Sequence, residues 1–207
     1  SNLQFLTFFV NTIKAVHDHR DLLRASIATA ANDHRLGANE APPAIMSVFV
    51  GNTLENVLND FEANAKTATK AGVTATINVP NIPEILFDNT DRNRTSPFAF
   101  TGNKFEFRAV GSSDNCSSSM VVLNTIMANQ LKQFKSEVDA VLKSKKGMKV
   151  EDAIKGILRG YIADSRKILF GGNGYGEEWK KEAKKRGLSN ITTTPEALKA
   201  YLTPLSR

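Results

Sequence analysis

The chain has 207 residues, 41% of them hydrophobic, with a formal charge of +6 and a sequence pI near 9.4. That length and apolar content suit one hydrophobic core of ordinary size and exclude a disordered polyelectrolyte. The single cysteine, Cys116, excludes an internal disulfide framework and fits a reducing, cytoplasmic compartment; no apolar stretch approaches the roughly 20 residues that cross a bilayer, so no membrane partner is expected. The basic excess sits largely in residues 132–149 and 180–186, interleaved with Glu and Asp as on solvated helix faces. With no RNP motif, zinc-finger spacing or aromatic-interleaved basic stripe, nucleic acid is not the expected partner; a cationic cleft would instead draw in small anions.

In chain order, Leu3, Leu6, Val10, Ile13, Leu23, Ile27 and Ala30 recur at three- and four-residue steps for most of residues 3–31, which predicts one long helix with a buried stripe. Gly37 and Pro42-Pro43 stop it. The β-prone run 44–50 is a candidate strand, and 53–71 returns to helical spacing with Gly72 as its stop. Residues 73–79 read as a strand, followed by the loop punctuation Pro80-Asn81-Ile82-Pro83. A strand at 104–108 precedes a polar run, then a long helix at 118–143 with Val122, Ile126, Leu131, Phe134, Val138 and Leu142 facing inward. Helices follow at 151–170 and 177–186, separated by the glycine-rich break 171–176, and a last helix begins with Thr194 as cap and Pro195 at its first position. No repeat appears, and without strict βαβ alternation the fold class is α+β. His17 and His19 lie two apart on one helix and do not share a face, so a metal pair there is not expected. Gly172-Asn173-Gly174-Tyr175-Gly176 lacks Walker spacing and follows a helix, which reads as a helix stop and turn.

Two segments concentrate chemistry. In Lys104-Phe105-Glu106-Phe107-Arg108, alternation puts Lys104, Glu106 and Arg108 on one face of a strand and both phenylalanines on the other. Such a face is commonly no more than solvated charge, with Glu106 pairing Lys104 or Arg108. Upstream lies Arg94, beside a potential ion-pair partner in Asp91, and a second cluster mounts Arg35 and Glu40 in a Gly/Pro loop, where functional groups tend to be carried.

The strings His34-Arg35-Leu36-Gly37-Ala38-Asn39-Glu40-Ala41-Pro42-Pro43 and Asn93-Arg94-Thr95-Ser96-Pro97-Phe98-Ala99-Phe100-Thr101-Gly102-Asn103-Lys104-Phe105-Glu106-Phe107-Arg108 together resemble the C-terminal half of the catalytic domain of type III glutamine synthetase. The likeness continues through Gly111-Ser112-Ser113-Asp114-Asn115-Cys116 to Gly172-Asn173-Gly174-Tyr175-Gly176-Glu177-Glu178-Trp179. It implies that residues 1–116 are the second half of the catalytic domain, with a few antiparallel strands among long helices, and that 117–207 form a helical C-terminal region packed on it. It also implies ligation of ammonia to glutamate at the expense of ATP through a γ-glutamyl phosphate, with Mg²⁺ or Mn²⁺, in a homo-oligomer of stacked hexameric rings with active sites between neighbouring subunits.

Residue by residue, the resemblance assigns Glu106 to the metal between the ATP phosphates, Arg35 and Arg108 to the substrate glutamate, Arg94 to the transferring phosphoryl group and ATP, and Glu40 to a flap that closes over glutamate and takes a proton from ammonium. Lys104 falls where other classes carry a nucleotide-contacting arginine, and Ala99 replaces a further one, so no role passes to Ala99. The Arg35 to Glu40 spacing is one residue shorter than in those classes. Ser1-Asn2, with no methionine before Leu3, reads as a cloning scar, and the remaining metal ligands of the family would lie upstream, so this segment alone is expected to be inactive. The competing reading is a non-catalytic subunit or regulatory paralogue that keeps the fold for assembly.

Overall fold

A computed structural model describes residues 2–38, 40–70 and 95–203. Residues 73–79, the Pro80–Pro83 punctuation and Arg94 with its neighbour Asp91 lie outside them.

The expected single helix of residues 3–31 is three: α1 (Asn2–Asp18), α2 (Arg20–Ser26) and α3 (Ala30–Arg35). The stripe prediction holds within α1, where Leu6, Phe9, Val10, Ile13 and Val16 are buried. The first break has a local cause, since Arg20 Nη1 donates to the His17 carbonyl at 2.8 Å and His19 sits at φ −110°, ψ 25°, outside helical values. At the second, Thr29 turns extended and its hydroxyl accepts the Asn32 N–H at 3.1 Å, starting α3 as an N-cap.

The run at 44–50 contributes only a two-residue strand, β1 (Val48–Phe49), and α4 (Asn52–Lys70) follows as expected. β1 pairs in parallel with β2 (Phe98–Phe100), which pairs antiparallel with β3 (Phe105–Phe107) in the register Phe98 to Phe107, Ala99 to Glu106 and Phe100 to Phe105. The sheet is therefore mixed, where antiparallel strands alone were expected. β2 escapes pattern reading because it is the central strand and buried on both faces, so Phe-Ala-Phe shows no polar alternation. Gly102 turns β2 into β3 at φ 98°, a left-handed backbone that favours glycine, while the Thr101 N–H donates to the Lys104 carbonyl at 2.9 Å.

Phe105 and Phe107 do face the core. Phe105 stacks on Phe9 and Phe98 with ring centroids 5.4 and 5.2 Å apart, so the sheet is welded to α1 by aromatic contact. Helices α5 (Ser117–Ser144) and α6 (Val150–Ser165) pack on the other side of α1. Along α5 the inward stripe is Val122, Ile126, Gln130, Phe134 and Val138. Gln130 takes the place expected for Leu131, because its amide donates to Asn11 of α1 at 3.0 Å inside the seam. The helix expected to reach residue 170 ends at Ser165, passes through one 3-10 turn at Arg166–Ile168, and gives way to backbone bonding: Leu169 bridges to Val48, and the Phe170 N–H donates to the Val48 carbonyl at 2.9 Å. α7 (Glu177–Lys185) and α8 (Thr194–Leu198) follow, and a 3-10 turn at Lys199–Leu202 continues from α8. At α8 the cap position belongs to Thr193, one residue earlier than expected, with Pro195 second in the helix; the Thr194 N–H donates to the Asp33 carboxylate at 2.6 Å in place of a local side-chain cap. Among the described residues no helix is long and apolar enough to cross a membrane.

Candidate active site

Three stretches distant in sequence meet at one cavity of about 170 Å³, walled by Arg35, Leu36, Glu40, Ala41, Pro42, Ser96, Pro97, Arg108, Ala109 and Tyr175. Three of the residues singled out from the sequence, Arg35, Glu40 and Arg108, are thereby brought together. The space is on the scale of a small amino acid and well short of a nucleotide.

Arg35 reaches it from the end of α3. Its Nε donates to Asn32 Oδ1 at 3.0 Å and its Nη2 to the carbonyls of Ala109 and Val110 at 3.0 and 3.1 Å, while Nη1 has no partner among the described residues. Asn32 is itself buried, and its Nδ2 donates to the carbonyls of Ile27 and Ala109, each at 2.9 Å. The guanidinium is thus fixed by groups that are themselves fixed, with Nη1 left to meet a carboxylate. Sequence reasoning passed over Asn32, although an amide three residues before an arginine at a helix end is the signal that could have flagged it.

Beyond α3 the chain reverses at Gly37, whose φ of 82° again favours glycine, and whose N–H lies 3.2 and 3.0 Å from the carbonyls of Ala41 and Pro42. This pinched base holds an exposed Glu40 at the cavity rim.

Arg108 follows β3, its N–H donating to the Pro97 carbonyl at 2.7 Å. Its side chain grips Glu106 through Nη2 and Nε, 2.7 and 3.1 Å from Oε2, while Lys104 Nζ stands 3.5 Å from Oε1. The ionic face read from alternation is therefore a Lys104–Glu106–Arg108 row. Hydrogen bonds from Arg108 hold the Glu106 carboxyl below the usual carboxylate range against the opposing effect of burial, so the group is ionised at neutral pH. Glu106 reaches the cavity only through Arg108. Lys104 lies farther out, on the rim of a separate and larger apolar groove of about 460 Å³ beside Phe5, Phe8 and Phe105.

An ionised, partly exposed carboxylate is the hard oxygen donor that Mg²⁺ or Mn²⁺ takes, so Glu106 fits the part of one ligand. The described residues place no second carboxylate beside it. The single cluster with ligand-like spacing among them is elsewhere: His17, Asp18 and Asp164 bring donor atoms within 4.8 Å of one another. There the Lys14 ammonium stands 2.6 Å from both carboxylates and supplies the positive charge itself, which makes the cluster an ion-pair network.

A second network braces α3 from behind. Arg24, fully buried in α2, donates through Nη2 to Asp33 at 2.7 Å and through Nε to the Ile191 carbonyl at 2.7 Å. Burial pushes the Asp33 carboxyl up, but hydrogen bonds from Arg24 and Thr194 outweigh it, and the group titrates below its ordinary value. Tyr175, at the end of the glycine-rich break, was not expected at the site at all, yet its hydroxyl lies 3.4 Å from the Glu40 carbonyl oxygen.

Comparison with known proteins agrees with the resemblance carried by the motifs. Residues 153–207 match the family described as glutamine synthetase C-terminal domain. Over 209 aligned positions covering 100% of the chain, it is 52% identical to a glutamine synthetase of Bacteroides fragilis, of which it covers 28%. It is 45% identical over 95% of its length to a type-3 glutamine synthetase of Dictyostelium discoideum, covering 26% of that protein, and 43% identical over 97% to a glutamine synthetase of Butyrivibrio fibrisolvens, covering 28%. The chain spans little more than a quarter of the length of these relatives, and along almost its whole length it is similar to proteins named glutamine synthetase, a type-3 enzyme among them.

Proposed function

We propose that this chain carries part of the active site of an ATP-dependent glutamate–ammonia ligase, in which residues 1–116 form the second half of a catalytic domain and 117–207 its helical C-terminal region. The observation that carries the reading is the convergence of Arg35, Glu40 and Arg108 on one small cavity. Glutamate has two carboxylates, and two arginines lining one small cavity, each anchored by a neighbouring side chain, suit a small dianionic amino acid better than a nucleotide. Arg35 presents its Nη1, and Arg108 is poised by Glu106. Because both guanidinia are pre-oriented, little side-chain freedom is lost on binding.

Glu40 sits at the rim on a loop pinned at its base, where a carboxylate can accept a proton from ammonium and leave neutral ammonia facing the activated substrate carbon. Lys104 and the arginine at position 94 are proposed for ATP. A divalent cation, when bound, would supply positive charge against the phosphates, and Glu106 would be one of its ligands. Relatives named glutamine synthetase support ATP, glutamate and ammonia as substrates, and assembly into stacked hexameric rings is part of the same proposal. The exposed free thiol of Cys116 suits a cytoplasmic setting.

The test is direct. A full-length enzyme carrying this segment, supplied with glutamate, ammonium, ATP and Mg²⁺ or Mn²⁺, should form glutamine and ADP through a trappable γ-glutamyl phosphate, and residues 1–207 alone should show negligible turnover. Failure to detect the acyl phosphate in the full-length protein sinks the reading; robust synthesis by residues 1–207 would show that no further catalytic groups are needed.

A further inference from the structure

We infer that Tyr175 is a positioning residue that latches the main chain of Glu40 and so aims the proposed proton-accepting carboxylate; the inference rests on the ligase reading above. Its hydroxyl donates to the Glu40 carbonyl at 3.4 Å, joining points 135 residues apart. The ring also forms part of the cavity wall that Arg35 and Arg108 share.

A latch must be stiffer than what it holds, and the Tyr175 turn is clamped at both ends. Before it, the Phe170 N–H is bonded to Val48 at the sheet edge, and the Phe170 carbonyl accepts from Ser96 at 3.0 Å. After it, the buried Trp179 stacks on Phe170 with centroids 3.7 Å apart and planes 14° from parallel, and the Arg186 guanidinium lies 5.5 Å from the same indole. Within the turn, Asn173 accepts from the Tyr175 N–H at 3.1 Å through its side chain and from the Gly176 N–H at 3.2 Å through its carbonyl. Glu40, by contrast, is exposed, and its loop is held chiefly at the base by Gly37. The glycine-rich break that sequence reading left as a helix stop is on this view the mount for a side chain of the site.

The consequence for chemistry is one of competition. With Glu40 well aimed, ammonia attacks the acyl-phosphate carbon, a C–N bond forms, the bond from that carbon to the phosphate oxygen breaks, phosphate leaves with the electron pair, and the proton shed by the nitrogen passes to that phosphate. With Glu40 misplaced, water attacks the same carbon, the same bond breaks, the water's proton passes to solvent, and the products are glutamate and phosphate. More ADP is then made per glutamine.

Tyr175→Phe keeps the ring and removes the donor, and Tyr175→Ala removes both. In the full-length enzyme, Tyr175→Phe should lower kcat about two- to tenfold, the range of one neutral hydrogen bond, raise the ADP-to-glutamine ratio, and leave the KM for glutamate within about twofold. Hydrogen exchange in peptides containing Glu40 and Ala41 should quicken, with no change in peptides from α5. Unchanged kcat, product ratio and exchange in Tyr175→Phe overturn the latch, as does a uniform loss of protection throughout the protein. Arg108→Ala run in parallel separates the two levels: if it leaves glutamate saturation unaltered, the ligase reading of the cavity fails, whereas a normal Tyr175→Phe beside a defective Arg108→Ala defeats the latch alone.

Discussion

In the seam between α1, α5 and α6, Gln130 donates to Asn11, Asn11 donates to the Thr7 carbonyl at 2.8 Å, and Lys14 is gripped by two carboxylates at the seam's edge, so these polar groups close on one another. In the cavity beneath α3, Asn32 and two backbone carbonyls hold Arg35 equally firmly, but its Nη1 stays open and Glu40 stays at the rim. Both regions bury polar atoms at the cost that such burial always carries. The seam uses them to fix how helices cross, and the cavity uses them to hold charge ready for something that is not protein.

If that contrast is right, damage to each region should be read out differently. The largest effect is expected at Glu40: Glu40→Ala in the full-length enzyme should reduce ammonium-dependent turnover by about 10²–10⁴-fold, the scale of a lost general base, with little change in stability or in glutamate KM. Steady-state kinetics at saturating glutamate decides it, and a normal kcat would remove Glu40 from the chemistry. Next, Leu158→Ala, in the fully buried stripe of α6, should cost about 2–5 kcal/mol in urea unfolding while the surviving folded enzyme keeps its glutamate KM. A raised KM with unchanged stability would show the seam and cavity to be coupled, against the comparison.

A third change sharpens the cavity side. Arg108→Ala removes a charge-assisted contact worth about 1.5–3 kcal/mol, so glutamate KM should rise by about tenfold to a hundredfold. It also strips Glu106 of the hydrogen bonds that depress its pKa, and NMR titration should find that carboxyl moved back up towards an ordinary glutamate.

The smallest expected effect is at Asp33, whose pKa is lowered on folding. A carboxylate with a depressed folded pKa binds its proton more readily when unfolded, so the stability it provides is present above the unfolded value of about 3.9 and drains away as pH falls through the folded one. Asp33→Asn should therefore flatten the acid limb of the stability curve below about pH 4 and alter it little at pH 7 beyond a constant offset. A full acid dependence in the variant would place the linkage elsewhere.

Much of this was legible beforehand where local pattern decides structure. The helices α4 and α5 were placed to within a residue or two by spacing, and alternation correctly divided Lys104, Glu106 and Arg108 from the two phenylalanines. What pattern missed depends on individual side-chain contacts, most of them to partners far along the chain. Nothing near Arg20 says that its guanidinium will interrupt a helix, nothing near Gln130 says that Asn11 waits across the seam, and β2 carries no alternation because it is covered on both faces. The cavity divides the same way. Arg35, Glu40 and Arg108 were named through resemblance, whereas Asn32 and Tyr175 are defined by contacts to Ala109 and Glu40 that only folding creates.

The bracing of α3 by the last helix also bears on the order of events at the ribosome. Arg24 is bonded to Ile191 and Asp33 to Thr194 across 167 and 161 residues. At about 5–20 residues per second, translation leaves those two side chains waiting roughly 10–30 s for partners that do not yet exist. Until then Arg24 has only Asp33, nine residues on, to meet its charge, and the remaining hydrogen bonds to the pair close when residues 191–194 emerge. The corner that presents Arg35 is thus completed only once residues 191–194 have been made, long after its own helix.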